Sequence, residues 1–178
     1  GRIWGGDQNC SAVHLNALLR LCRSADPSAQ LYLPHGTNAR RAYETLLLVP
    51  RLGPIPLREG PLPLPGALDC GPWRVVCQAA DYGGQPQGPW DFWLDRTQIS
   101  ALELRARRTG DRLTPPGRLG KTVKKWMIEA RLPRFQRDTL PILDCEGQIA
   151  AAAGLGPDRA FVPPAGGAAW HITVVSSE

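Results

Sequence analysis

No stretch of about 18 apolar residues, the length a helix needs to cross a bilayer, occurs in this 178-residue sequence, so no membrane span is expected. The amino terminus shows no basic-then-apolar pattern, so it does not read as a signal peptide. The five cysteines, at positions 10, 22, 70, 77 and 145, are odd in number and include no Cys-x-x-Cys pair. That spacing argues against a closed disulfide framework or a zinc ribbon, and buried free thiols in a reducing cytosol are expected instead. His14, His35 and His171 are scattered over a helical pattern, a turn and a late strand, and each reads as structural or solvated rather than as a ligand.

Catalytic signatures are equally sparse. Gly117-Arg118-Leu119-Gly120-Lys121-Thr122 ends like a phosphate loop, but position 115 is proline and no apolar strand leads into it. Gly154-Leu155-Gly156-Pro157 fails the dinucleotide pattern. Asp91 and Asp95 flank an aromatic pair with no histidine nearby in sequence, which gives no acid–base or metal case. No Ser-His-Asp arrangement can be nominated.

What the sequence does hold is glycine and proline, 19 and 18 of them, about a fifth of the chain and well above ordinary usage. They favour short strands and many turns over long helices. A hydrophobic content of 43% suffices for one core of ordinary size. Ser11 is a plausible cap for a helix to about Ser24, with Leu15, Leu18, Leu19 and Cys22 at helical spacing. Leu31–Leu33 reads as a strand, and Tyr43–Val49 leans that way. Six prolines from Pro50 to Pro65 remove amide donors, so this stretch is an extended linker or an edge, with a soft boundary near Gly66. Beyond it, 73–79, 90–94, 101–107, 140–143, 148–153 and 169–175 read as strands. Thr122 can cap a second helix whose stripe is Val123, Trp126, Met127 and Ala130. The expectation is an α+β, strand-rich module with one or two packed helices, preceded by a helix and short strands.

Charge is concentrated. Between Glu103 and Arg137 eleven Lys and Arg face three acids, a local charge of +8, whereas the remaining residues carry ten bases and thirteen acids. Alternation over 101–107 puts Leu102, Leu104 and Ala106 on one face and Glu103, Arg105 and Arg107 on the other, predicted exposed. Lys121, Lys124 and Lys125 gather at a helix start, where free amides favour an anion although lysines oppose the dipole. One-sided charge of this kind suits a polyanion, because each neutralised phosphate releases counterions. The aromatics do not interleave with the bases, and Trp126 reads as core.

The order of blocks carries a resemblance. Arg105-Ala-Arg-Arg-Thr-Gly-Asp-Arg-Leu, Gly117, Lys121-Thr-Val-Lys-Lys-Trp-Met-Ile-Glu-Ala, Leu132-Pro-Arg-Phe-Gln-Arg, Leu140-Pro-Ile-Leu and Ala153-Gly-Leu-Gly resemble the carboxy-terminal domain of the bacterial tRNA(Ile)-lysidine synthetases over about Leu102 to Val162. Leu33-Pro-His-Gly and Arg41-Ala-Tyr-Glu-Thr-Leu look like the segment before that domain. The resemblance implies residues 1–66 as a connecting segment and 67–178 as a tRNA-binding domain, of a type also found in the phenylalanyl-tRNA synthetase β-chain. It implies Arg105, Arg107, Arg108, Arg112, Lys121, Lys124, Lys125, Arg134 and Arg137 as tRNA contacts, and Gly110, Asp111, Pro133 and Pro141 as turn or cap residues. Members of the family are cytoplasmic. They use ATP, with Mg, to attach lysine to the wobble cytidine of tRNA(Ile) with a CAU anticodon. That chemistry belongs to an amino-terminal domain with a Ser-Gly-Gly-x-Asp-Ser loop, which this sequence lacks, so no cofactor, metal or activity is expected of the chain alone. The rival expectation is a basic docking module that packs against a catalytic domain or another protein without touching RNA.

Overall fold

A computed structural model of the chain describes residues 12–33, 36–50 and 55–177. It separates into two compact units, 1–54 and 55–178. In the first, helix α1 (Ala12–Cys22) lies against the sheet formed by β1 (Gln30–Leu33), β2 (Thr37–Ala42) and β3 (Thr45–Pro50), in that order. β2 and β3 make a hairpin whose turn residue Tyr43 takes φ 56°. The helix begins one residue after the expected cap, Ser11, which with Cys10 and His35 lies outside the described residues. Its inward contact is Leu21, packed with Leu33 and Ala39, while Leu15 and Leu19 of the expected stripe are half exposed.

The second unit holds two antiparallel sheets. One has the order β13–β12–β11–β8–β4, formed by Gly156–Pro157, Gln148–Ala152, Ile142–Cys145, Leu102–Arg105 and Gly60–Leu62 respectively. The other runs β5 (Gly66–Asp69), β6 (Trp73–Asp81), β14 (Ala168–Ser176), β7 (Asp91–Asp95). Period-two burial explains the second sheet: Trp170, Ile172 and Val174 of β14 point inward with Val75, Cys77, Phe92 and Leu94, while His171 and Thr173 face outward. Leu104, Ile142 and Leu143 from the first sheet join the same apolar core. Each fully buried side chain of this size contributes about 1.5–3 kcal/mol.

A small ladder, β9 (Arg112–Leu113) with β10 (Lys121–Thr122), leads directly into helix α2 (Val123–Glu129). Val123, Trp126 and Met127 of α2 enter the core, and Thr122 caps it by accepting the Lys125 amide at 3.3 Å. A one-turn helix α3 (Arg134–Arg137), missed in sequence, starts at Pro133. A hairpin joins β11 to β12, with Glu146 at φ 51° and Gly147 at φ 88°, the pair of positive angles that a tight β-hairpin turn requires.

The linker expectation changes with the pairing. Gly60–Leu62 is the edge strand of the first sheet, bonded to β8, so the segment ahead of Gly66 belongs to the second unit and the chain divides after Pro54. Pro61 is tolerated there because an edge strand leaves one side of its amides unpaired. Cys70, Cys77 and Cys145 are buried free thiols, whereas Cys22 is exposed. Burial pushes the Cys70 and Cys77 thiols up to about 11, which keeps them protonated and unreactive near neutrality.

Candidate nucleic-acid interface

The arginine that opened the basic element is not on the surface. Arg105 has a side-chain exposure of only 6% and is enclosed by two acids. Its Nε donates to Asp144 at 2.7 Å, and its two terminal nitrogens donate to Asp111 at 2.9 and 3.0 Å. A further bond runs to the Ala106 carbonyl at 3.1 Å. The strand alternation holds through Leu104, but β8 is an inner strand and loop 106–111 folds back over its far face. Arg105 is therefore a structural cation, enclosed by its two acids and not presented at the surface as alternation predicted. Asp111 is its counterpart: burial works to raise its pKa, and the hydrogen bonds from Arg105 and the Arg108 amide, with both positive charges, bring it below the ordinary carboxylate value.

Two more predicted contacts carry acid partners. Arg107 reaches Asp138 at 2.9 Å, which ties the end of β8 to the end of α3. Lys121 reaches Glu129 at 2.7 Å, across one face of α2. Both Glu129 and Lys121 remain substantially exposed, so this pair contributes little. Lys121→Ala is expected to lower stability by less than about 1 kcal/mol, read as a melting shift of a few degrees at most.

The remaining predicted cations are more available. Arg108, Arg112, Lys124, Lys125 and Arg134 are exposed. Arg112 is adjacent to Thr122 across the small ladder and donates to the Gly120 carbonyl at 3.1 Å. Lys124 and Lys125 form no ion pair with any described residue and stand on the outer side of α2, opposite Val123, Trp126 and Met127. Two of the amides at that helix start are already taken: Val123 donates to the Asp111 carbonyl at 2.8 Å and Lys125 to Thr122. Arg137 is half-buried and donates to the Leu132 carbonyl at 2.8 Å. The nine residues thus fall into one group on the small ladder and α2, another about α3 with Arg107, the enclosed Arg105, and Arg108 by itself in the 106–111 loop.

One cation was missed. Arg118 lies in the irregular 114–120 loop, where no periodicity assigns it a direction, yet its guanidinium sits 5.2 Å from the centre of the Trp126 ring. Lys121 Nζ lies 4.5 Å from the same centre. Trp126 is core, as expected, and its Nε1 donates to the Leu113 carbonyl at 2.9 Å, but bases do stack on its outer face. Beside it a groove of about 830 Å³ runs between the 84–90 loop, the 115–118 turn and the 154–157 turn. Among its lining residues are Trp90, Pro116, Arg118, Trp126, Ala130 and Leu155.

Elsewhere, β7–β14 pairing brings together residues 80 apart: His171 Nε2 and Asp91 Oδ1 are 2.9 Å apart, and His171 stacks on Trp93 with ring centres at 4.3 Å. Asp91 therefore has the histidine neighbour that sequence proximity did not offer. Among the described residues, no three of His, Cys, Asp and Glu gather where they could hold a metal ion. No helix among them is long and apolar enough to cross a membrane.

Two antiparallel sheets sharing one core, with a cation-bearing ladder and short helix at the rim, define an α+β domain of the strand-rich kind. Residues 102–174 match the family described as the TilS substrate C-terminal domain. The chain is 31% identical over 169 residues to the tRNA(Ile)-lysidine synthase of Geobacillus kaustophilus, covering 86% of this chain and 35% of that protein. It is 32% identical over 177 residues to that of Symbiobacterium thermophilum, covering 93% of this chain and 37% of that protein. A solved TilS C-terminal domain superposes with a TM-score of 0.57 at 26% identity, covering 68% of this chain and 99% of that one. The chain carries the C-terminal domain of the tRNA(Ile)-lysidine synthase family. It spans little more than a third of the length of these two curated relatives.

Proposed function

We propose that this chain is the tRNA-holding part of a cytoplasmic tRNA(Ile)-lysidine synthetase. In this reading it grips tRNA(Ile) with the CAU anticodon, while an amino-terminal domain uses ATP and Mg to join lysine to the wobble cytidine. Among the described residues no three of His, Cys, Asp and Glu gather to hold a metal ion, and no step of that chemistry is assigned to them. The observation that carries the reading is the set of exposed cations, Arg108, Arg112, Lys124, Lys125 and Arg134, within the region that matches the family. An RNA duplex met by such a surface would be read through phosphates and shape, because its deep major groove closes base edges to side chains.

Titration of the chain against tRNA at several salt concentrations tests this. Four to six phosphate contacts predict a log–log slope of affinity against salt of roughly −3 to −5. A flat response removes the electrostatic basis. Cross-linking to a catalytic domain with no tRNA shift in a gel would assign the cations to protein docking instead.

A further inference from the structure

A cationic surface alone does not account for the groove beside α2. Its volume falls within the roughly 300–1,000 Å³ typical of sites for small organic groups. Its walls are fastened. Trp90 stacks on Trp73 with ring centres 5.3 Å apart, and the Gly154 amide donates to the Pro89 carbonyl at 2.9 Å. Gly154 takes φ +79°, and a β-carbon there would lie 3.2 Å from the Trp90 ring and 2.9 Å from Leu132. Glycine is therefore what lets the 154–157 turn close on Trp90 and hold the aromatic wall in place.

At the mouth stands Arg118. Its guanidinium rests against Trp126 and donates to no described residue, so its five N–H groups are held in position but uncommitted. A second cation, Lys121, shares the Trp126 ring, and Arg112 holds the Gly120 carbonyl two residues along the same loop. Glu129, which also lines the groove, is matched by Lys121, and Asp158 accepts from the Thr114 and Ala160 amides at 2.7 and 3.0 Å. A groove whose mixed lining includes the Trp90 and Trp126 rings, with an open guanidinium in its wall, matches one ring with one phosphate attached. A base inside a duplex cannot enter such a trough; an unpaired base can, and stacking on an aromatic wall is tolerant of which base it is. A proline-rich peptide would fill the trough but offers no anion to Arg118.

We propose that this groove receives an unpaired nucleotide of the bound RNA, its base against Trp90 and its phosphate on Arg118. The inference rests on the tRNA-holding reading and adds a single-stranded feature to what is held.

The test compares the full chain's affinity for a blunt RNA hairpin and for the same hairpin with a short single-stranded extension at either end. The extension is expected to tighten binding on the order of tenfold, the scale of one base–aromatic stack. Ala130→Trp fills the groove without removing a cation; it should erase that increment while leaving the blunt-hairpin affinity unchanged. Arg118→Ala should also reduce the increment. Should Ala130→Trp fail to fold, the indole N–H resonance of Trp90 in the unaltered chain decides: it must shift with the extended hairpin and stay still with the blunt one. Equal affinity for both hairpins overturns the groove assignment and leaves the cationic surface standing. Binding of neither overturns the tRNA-holding reading and this inference with it. A Trp90 shift with a proline-rich peptide and none with the extended hairpin would give the groove to a protein partner and overturn it as well.

Discussion

Replacing Arg105 with alanine is expected to cost about 3–5 kcal/mol of folding stability, because it leaves two nearly enclosed carboxylates without their cation. Asp111 and Asp144 are 12% and 13% exposed, and Arg105 supplies three of their hydrogen bonds at 2.7–3.0 Å. The loss spreads locally. Asp144 also holds the Gly147 amide at 2.7 Å, and Asp111 the Arg108 amide at 2.7 Å, so the 144–147 hairpin and the 106–111 loop share one anchor. Arg105→Lys should recover only part of the loss, since an ammonium cannot reproduce the two-pronged contact with Asp111. The urea midpoint followed by tryptophan fluorescence reads the effect. An RNA-contacting Arg105 would behave in the opposite way, weakening RNA affinity at an unchanged midpoint. The pH dependence has a definite sign. Asp111 is held below its unfolded pKa, so its contribution is present above the usual carboxylate range, near pH 4, and fades as pH falls through the lower folded value. The stability gap between the native chain and Arg105→Ala should therefore narrow in acid.

Arg105 also marks where sequence reasoning stopped. Local signals fixed much of the fold: Thr122 is a cap and Val123, Trp126 and Met127 of the expected stripe are buried, although its fourth member, Ala130, is exposed at the helix end, and the alternation of β14 tells inside from outside. Alternation in β8 placed Arg105 opposite Leu104 correctly, yet it says nothing about what covers the second face. That cover comes from Asp111 and Asp144, six and 39 residues away. The two-residue strands β9, β10 and β13 are too short to leave a period. Pro61 hides an edge strand because a proline-rich stretch looks the same in a linker as on the open side of a sheet. The groove was illegible for a related reason. Arg118 has no periodic context, and only the tertiary fold sets it on Trp126 and brings Trp90 to Gly154. The resemblance supplied the cationic residues as a set, but a set of cations does not reveal which ones the fold has already paired.

The exposed cations invite the second large effect. Changing Arg112, Lys124 and Lys125 together to alanine is expected to make the salt slope for RNA binding less steep by about 2–3, at roughly 0.7–0.9 for each phosphate no longer neutralised. At about 0.1 M salt that corresponds to a fall in affinity on the order of a hundredfold. Folding should not suffer. Lys124 and Lys125 are exposed in the first turn of α2, where positive charge opposes the helix dipole, so their removal relieves rather than strains the helix. Net charge alone could weaken RNA binding, and a matched variant separates the two causes. Arg58, Arg74 and Arg96 are also exposed but lie outside the 103–137 stretch, and Arg74 is already paired with Asp69 at 2.8 Å. Changing these three removes the same formal charge. If both triple variants weaken binding equally, the chain is a diffuse cation and position is irrelevant. If only the first does so, with the slope falling in step, the phosphates are met at the small ladder and α2, beside the lip of the groove where Arg118 waits with its donors open.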